Sequence, residues 1–423
     1  MKVWHCFFMG NILWTLTAWA ALVDVTRLGI LPDDGVADSQ AIRLALRDHS
    51  ELFFPPGKYV LDTTIYLPSE SRIQGASGTA TVFQLGADTV AFRVEGQHDA
   101  VLENFGIDCS AFDSSVNEAV FVYARKSPEG NPQRVQINGV RVVNRRSRAP
   151  ALSFIHADDC AVRRCETVDN TRLIWAAPDG IAPGDPPMAW QVYGSGITFN
   201  QCRNPVVEFN RVYETDAHIR VMTAPPPPYY QRYFQGSAIQ VVACSNALIQ
   251  SNWVQHTGQG IDSNRTDGAL IRGNVIDNCQ SHGVKLAHFA KNQRIVGNWI
   301  RRAGAMGVAL SPGNDEPSVD CTVQDNVFVA TGQGMGEGWW NPTGKADYPC
   351  CIHLDCAQTA GHGSRGCVIR NNTSYDNGKL TEVVANPVVV AREADRPRGA
   401  RDLTVENNRV VDGPAPAPPE ISH

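Results

Sequence analysis

The sequence predicts an all-β chain wound as a parallel solenoid, and three observations carry that expectation. First, a unit made of a short apolar strand, an Asn and another short apolar strand recurs at 206–212 around Asn210, 247–254 around Asn252, 270–276 around Asn274 and 294–300 around Asn298. Further copies end in Asn326, Asn372 and Asn408, looser ones sit at Asn104 and Asn138, and Cys165 takes the Asn place between Asn138 and Asn210. Second, Asn252, Asn274 and Asn298 are 22 and 24 residues apart, too short for helix-pair repeats of more than thirty. Third, each coil carries another strand opened by a small and an aliphatic residue: Gly196-Ile197, Ala238-Ile239, Gly260-Ile261, Gly283-Val284, Gly307-Val308 and Cys351-Ile352.

The segments are β-branched and alternating, which is the pattern of strands. An Asn at a fixed turn can take a left-handed conformation, and its amide can bond to the Asn of the next coil, giving a ladder. At the N-terminal end, 38–46 reads as a short helix capped by Asp38 or Ser39. It would close the open end of the solenoid, where bare strand edges invite association. Residues 52–59 read as strand, turn and strand. The expected organisation is an export signal over 1–20, one solenoid domain over 21–412 and a Pro/Ala-rich tail over 413–423.

The signal is expected from Lys2, the apolar run through Phe7, Phe8, Ile12, Leu13, Trp14 and Leu16, and the small-x-small Ala18-Trp19-Ala20. It implies a secreted or periplasmic protein. No other apolar run is long enough to cross a bilayer, so no membrane partner is expected. The chain has 37 Lys and Arg against 43 Asp and Glu, a net charge of −6, and no basic stripe of the kind a nucleic-acid binder shows. Of its 12 cysteines, Cys6 leaves with the signal. Cys160, Cys202 and Cys244 are expected in one buried column, while Cys350, Cys351, Cys356 and Cys367 are the disulfide candidates. No zinc-type C-x-x-C pair is present.

Asp34-Gly35, then Asp38-Ser39-Gln40-Ala41-Ile42, then Phe54-Pro55-Pro56-Gly57-Lys58-Tyr59 resemble the opening of pectate-lyase-like β-helix proteins. The Asn coils are similar to that superfamily to about residue 412. The resemblance implies a right-handed parallel β-helix with an Asn ladder, an N-terminal capping helix and long loops flanking one face. It implies no single activity, because the superfamily holds lyases, hydrolases, epimerases and phage tailspikes. It leaves calcium open as a cofactor, although no ligand cluster of the classical pectate-lyase type is in view. Side-by-side homotrimers are also open to this fold.

Three insertions, at 173–193, 214–235 and 332–349, leave the coils from one corner and return before the Gly-Ile strand. Loops gathered on one edge usually build the site. They carry Tyr229, Tyr230, Trp339 and Trp340 as sugar-stacking candidates. The outward residues of the Gly-Ile strands run Thr198, Gln240, Asp262, Lys285, Ala309 and His353. The next outward set is Asn200, Val242, Asn264, Ala287, Ser311 and Asp355, with Arg265 and His288 just beyond and His282 three residues before Lys285. Asp262 and Lys285 should be neighbours.

Proton abstraction beside a uronic carboxylate needs a base and a group that stabilises the resulting charge. Asp262, Lys285, His282 and His353 are the catalytic candidates, with Lys285 or His282 as base. Gln240, Asn264, Arg265, His288, Asp355, Asp216, Arg220 and the four loop aromatics are the substrate-binding candidates. A hydrolase needs two flanking carboxylates, for which Asp262, Asp355 and Asp216 are available. The polygalacturonase set is not found in order: Asp158-Asp159 lies at a turn and Gly361-His362-Gly363 in a Gly-rich loop. Residues 258–310 resemble the catalytic coils of alginate epimerases, with His282-Gly283 in the matching place, but where those carry Tyr-Gly-Phe-Asp-Pro-His this chain reads Gly236-Ser237-Ala238-Ile239-Gln240. The expectation is a polysaccharide-active enzyme, lyase ahead of hydrolase, with a carbohydrate-binding or tailspike-like protein as the non-catalytic alternative.

Overall fold

The computed structural model describes residues 22–111, 120–124, 130–143, 149–170, 172–175, 190–193, 196–218, 232–234, 236–304, 306–311, 317–331, 350–354, 364–376, 389–391 and 402–421. Each coil contributes one strand to each of three parallel sheets, of thirteen, twelve and eleven strands. One coil shows the order: Leu270–Arg272 in the first sheet, Val275–Asp277 in the second, His282–Ala287 in the third. The strands are short because a corner follows every few residues. The interior is a column of inward side chains, Ile249, Ile271, Ile295, Val323 and Ile369 along one wall and Ile239, Ile261, Val284, Val308 and Ile352 along another, all fully buried. Stacking like on like buries apolar surface at about 25 cal/mol per Å² without any coil having a core of its own.

The Asn ladder is present. Asn210, Asn252, Asn274, Asn298, Asn326 and Asn372 each give their backbone N–H and side-chain amide to Oδ1 of the Asn in the next coil, at 2.8–3.1 Å, ending on Asn408. Cys165 heads it, its N–H donating to Asn210 Oδ1 at 2.9 Å. Two expectations are corrected. The left-handed residue is not the ladder Asn but the one before it: Phe209, Ser251, Gly273, Gly297, Asp325, Asn371 and Asn407 have φ between 52° and 63°. That conformation turns the chain so that the Asn side chain points inward. Asn104 and Asn138 are not ladder members, since strand register puts Phe105 and Val140 opposite Cys165.

A helix, Ser39–Asp48, covers the N-terminal end and buries Ile42, Ala45 and Leu46. Asp38 does not cap it through its side chain. Its Oδ2 instead accepts from Val60 N at 2.8 Å, and Ser39 Oγ donates to Thr63 O at 3.1 Å, so both side chains tie the helix to the first coil. The thiol column is also corrected. Cys202 and Cys244 stack, but the bridge between Asp158 and Arg203 puts Ala157 opposite Cys202 and Cys160 opposite Pro205. Cys367 is a buried free thiol rather than a disulfide partner and lies in register beside Cys321, while the buried Cys351 Sγ lies 3.1 Å from Thr331 Oγ1 and 3.2 Å from Ser374 Oγ. Cys356 lies outside the described residues. Burial pushes the thiols of Cys160, Cys165 and Cys279 up to about 12. Residues 413–421 carry no regular structure, and Ala415 and Ile421 pack against Val275, Trp299 and Val329 of the second sheet. The export-signal residues 1–20 lie outside the described residues. Among those described, no helix is long and apolar enough to cross a membrane.

Candidate active site

The third sheet forms the candidate face. Its register places Thr198, Gln240, Asp262, Lys285, Ala309 and His353 in one cross-strand row, each the direct partner of the next. Asn200, Val242, Asn264, Ala287 and Ser311 form the row beside it. Alternation along each strand fixes both rows once Ile261 and Val284 point inward.

Asp262 is the centre of this row. It is 6 % exposed although it occupies an outward position. Gln240 Nε2 donates to its Oδ2 at 3.1 Å, and its Oδ1 has no hydrogen-bond partner among the described residues. Burial raises its carboxyl above the usual range, and the Lys285 ammonium, the Gln240 bond and His288 oppose that rise. Lys285, half-buried, makes neither a hydrogen bond nor an ion pair with any described residue, so its three donors remain available. It influences Asp262 through space rather than closing on it, which differs from the ordinary surface ion pair of adjacent strands.

His282 opens the Lys285 strand, its Nδ1 3.0 Å from Ser281 Oγ. Desolvation, then Lys285 and His353, lower its imidazole to about 3, so it is neutral across the physiological range. The residue as a whole is half-buried. His353 is outward in register yet only 2 % exposed. Arg265 and His288 are partners in register and both exposed, and each has a left-handed φ, 50° and 44°. Arg265 N donates to Ala287 O and His288 O at 3.0 and 2.9 Å. This edge is a turn that carries an exposed Arg and an exposed His, of which His288 is near enough to act on the Asp262 carboxyl.

Asp216 does not join this group: it is exposed and its carboxylate lies 3.8 Å from His256 Nδ1, at the corner between the second and third sheets. Next to it, Glu214 and His218 form a buried pair, Oε2 to Nε2 3.4 Å, both 4 % exposed. Asp355, Arg220, Tyr229, Tyr230, Trp339 and Trp340 lie outside the described residues. The described parts of the first two insertions are strands. Arg172–Trp175 pairs antiparallel with Trp190–Tyr193, and the latter pairs parallel with Arg232–Phe234. The two insertions therefore share a small side sheet, which no repeat or turn signal in the sequence announced.

One metal-capable group was missed by sequence reasoning. Ligand atoms of Asp169, Glu214 and His218 all lie within 4.8 Å of one another. Thr215 orients Asp169 with its N–H at 2.7 Å and its hydroxyl at 2.9 Å, one to each oxygen. The signal available was positional: Asp169 and Glu214 follow matching second-sheet strands of adjacent coils. One imidazole and two carboxylates without a thiolate suit a hard or borderline divalent ion.

A family model described as periplasmic copper-binding protein (NosD) matches residues 181–339, less than half of the chain. The Asp169 group fits copper poorly, having one nitrogen donor and one member outside that stretch. No curated protein matches the chain in sequence. Among solved structures, the A-module of a mannuronan C-5 epimerase from Azotobacter vinelandii is 13% identical, with 95% of this chain and 100% of that one covered at a TM-score of 0.52. A surface adhesin of Streptococcus pneumoniae is 14% identical, with 92% and 90% covered at 0.58. A tailspike mutant of E. coli bacteriophage HK620, in complex with a pentasaccharide, is 12% identical, with 91% and 64% covered at 0.56. At such identities the likeness concerns the fold. With its three parallel sheets and Asn ladder, the chain has the right-handed parallel β-helix fold.

Proposed function

We propose that the protein is an exported enzyme that acts on a uronic-acid polysaccharide along the third sheet, by proton abstraction next to the sugar carboxylate. The observation that carries this reading is the Asp262–Lys285–His282 group: a buried carboxyl with one oxygen unpartnered among the described residues, an ammonium held by no described partner, and a neutral imidazole. A surface that served only structure would close such groups on one another, since buried unpaired polar atoms are costly.

In the reaction, Arg265 and His288 bind the uronate carboxylate at the edge. Neutral His282 takes the proton on the carbon next to that carboxylate, and the substrate's negative charge beside it raises its proton affinity. Lys285 stabilises the enolate-like charge as it forms. The electron pair closes the carbon–carbon double bond, the glycosidic carbon–oxygen bond breaks, and the leaving oxygen takes a proton from the Asp262 carboxyl, whose burial favours the protonated form. The A-module likeness supports a second outcome of the same step, in which a proton returns to the opposite face and the chain is not cut.

The test is a panel of acidic and neutral polysaccharides, read by ultraviolet absorbance of unsaturated uronates, by reducing ends and by the ratio of uronate epimers. Absorbance rising with reducing ends supports elimination, and Lys285→Ala should lower turnover on the order of 10²–10⁴-fold while substrate still binds. Epimer change without new ends supports epimerisation. Reducing ends without absorbance would replace the reading by hydrolysis, and silence throughout would leave a binding protein.

A further inference from the structure

We infer that the N-terminal end of the same face is a second sugar-binding station, one that takes an acidic sugar residue of the polymer between the capping helix and an arginine–aromatic stack. The inference rests on the reading of the third sheet as a polysaccharide face and extends it to a region that reading does not use.

Five steps before Asp262 in the row stands Arg93, reached through Gln240, Thr198, Ser153 and Phe121, and Tyr66 lies one step further. At a strand spacing of about 4.8 Å, Arg93 is some 24 Å from Asp262. The Arg93 guanidinium sits 5.9 Å from the Tyr66 ring centroid and 5.1 Å from that of Phe121. Phe121 in turn stacks on Tyr123, centroids 5.2 Å apart and planes 20° apart. A cavity of about 660 Å³ opens beside Tyr66, lined by Arg43, Leu46 and Arg47 of the helix and by Pro68, Glu95 and Gln97 of the coils, among others.

Charge tells which ligand this place suits. Arg93 is held by Glu95, Nε to Oε1 2.9 Å. The Glu95 carboxylate lines the same cavity, but Arg43, oriented by Thr63 Oγ1 at 2.8 Å, and Arg47 make no ion pair with a described residue. Two cations of the cavity are thus left to a ligand, and guanidinium groups take carboxylates in a planar two-point fashion. Tyr66 is 52 % exposed, an open ring face of the kind that packs on the C–H face of a pyranose. Between Asp262 and Phe121, whose ring belongs to the arginine–aromatic stack, the row holds only Gln240, Thr198 and Ser153, an amide and two hydroxyls.

The test is calorimetric binding of uronic-acid oligosaccharides of graded length, with neutral oligosaccharides of equal length as controls. The proteins are the unmodified chain, the double variant Arg47→Ala with Tyr66→Ala, and Asp262→Asn as the turnover-blocked background. Both replaced side chains are at the surface, and thermal unfolding checks that the double variant folds; Arg47→Glu is a second probe that keeps the ring. Oligosaccharides long enough to reach from Asp262 to the cavity should lose at least about tenfold in affinity, and the salt dependence of binding should fall. Unchanged affinity of the long acidic chains for both variants overturns the second station while the catalytic reading stands. If the unmodified chain neither binds nor converts any acidic polymer, the proposed function fails and this inference with it.

Discussion

Asp262 shows how a single register position acquires chemistry. Its backbone place is that of any outward strand residue, and burial is what distinguishes it, raising the carboxyl while Lys285 and the Gln240 amide pull it back. Replacing Gln240 by Leu removes a hydrogen bond to the ionised form, so the carboxyl rises further. The alkaline limb of the kcat/KM profile, where Asp262 loses the proton it has to donate, should then move to higher pH, and a rate–pH series on the variant checks this; an unmoved limb would assign that limb to another group. His282 brings the opposite balance. With its imidazole lowered to about 3, it stays in the proton-accepting form from mildly acid to alkaline pH in the free protein.

At the scale of the element, the Asn ladder carries much of the coil-to-coil specificity. Asn274 Oδ1 accepts two bonds from Asn252, and Asn274 Nδ2 donates to Ile249 O at 3.1 Å, all in the buried wall. Asn274→Ala leaves donors of Asn252 and an acceptor of Ile249 unsatisfied in the interior. An unpaired buried polar group costs about 1–3 kcal/mol, so the loss should reach about 3 kcal/mol or more by denaturant unfolding. Asn408→Ala, at the half-buried end of the ladder, should cost less than half of that. Equal losses at both sites would argue against the ladder as a buried network. The small residue before each inward aliphatic is set by the same stacking: a Cβ on Gly283 would lie 2.6 Å from Gly307 O in the next coil.

For the whole molecule, the N-terminal cap decides a pH dependence. Asp38 is buried where the helix meets the first coil, and burial raises its carboxyl to about 6. The folded state therefore holds this proton more tightly than the unfolded one. Its stabilising contribution is fully present below the ordinary carboxylate value of 3.8 and is lost as pH rises through about 6. Asp38→Asn keeps an acceptor for Val60 N–H and cannot ionise, so its melting temperature should lack the decline between those values. A variant that declines in parallel with the natural chain would place the dependence elsewhere.

The sequence by itself determined the solenoid, the order of its coils and the two outward rows of the third sheet. A period near 22 residues, alternation of two and an Asn at one corner leave a single way to stack the strands, which is why Asp262 beside Lys285 and Arg265 beside His288 could be read from aligned residues. It also put Cys165 in the Asn place of the coil before Asn210, where the structure has its N–H donate to Asn210 Oδ1. It misplaced Asn104, Asn138 and Cys160, because local spacing does not say which residue of a turn points inward; hydrogen-bonded register does. It assigned capping to Asp38 and Ser39, where the first coil competes for the same side chains. The side sheet of the insertions and the cavity under the capping helix were out of its reach. Each joins segments outside the repeat, and only tertiary packing fixes how such segments meet. The same holds for the electrostatics of the face, since desolvation of Asp262 and His282 depends on what surrounds them in space and on nothing in their spacing along the chain.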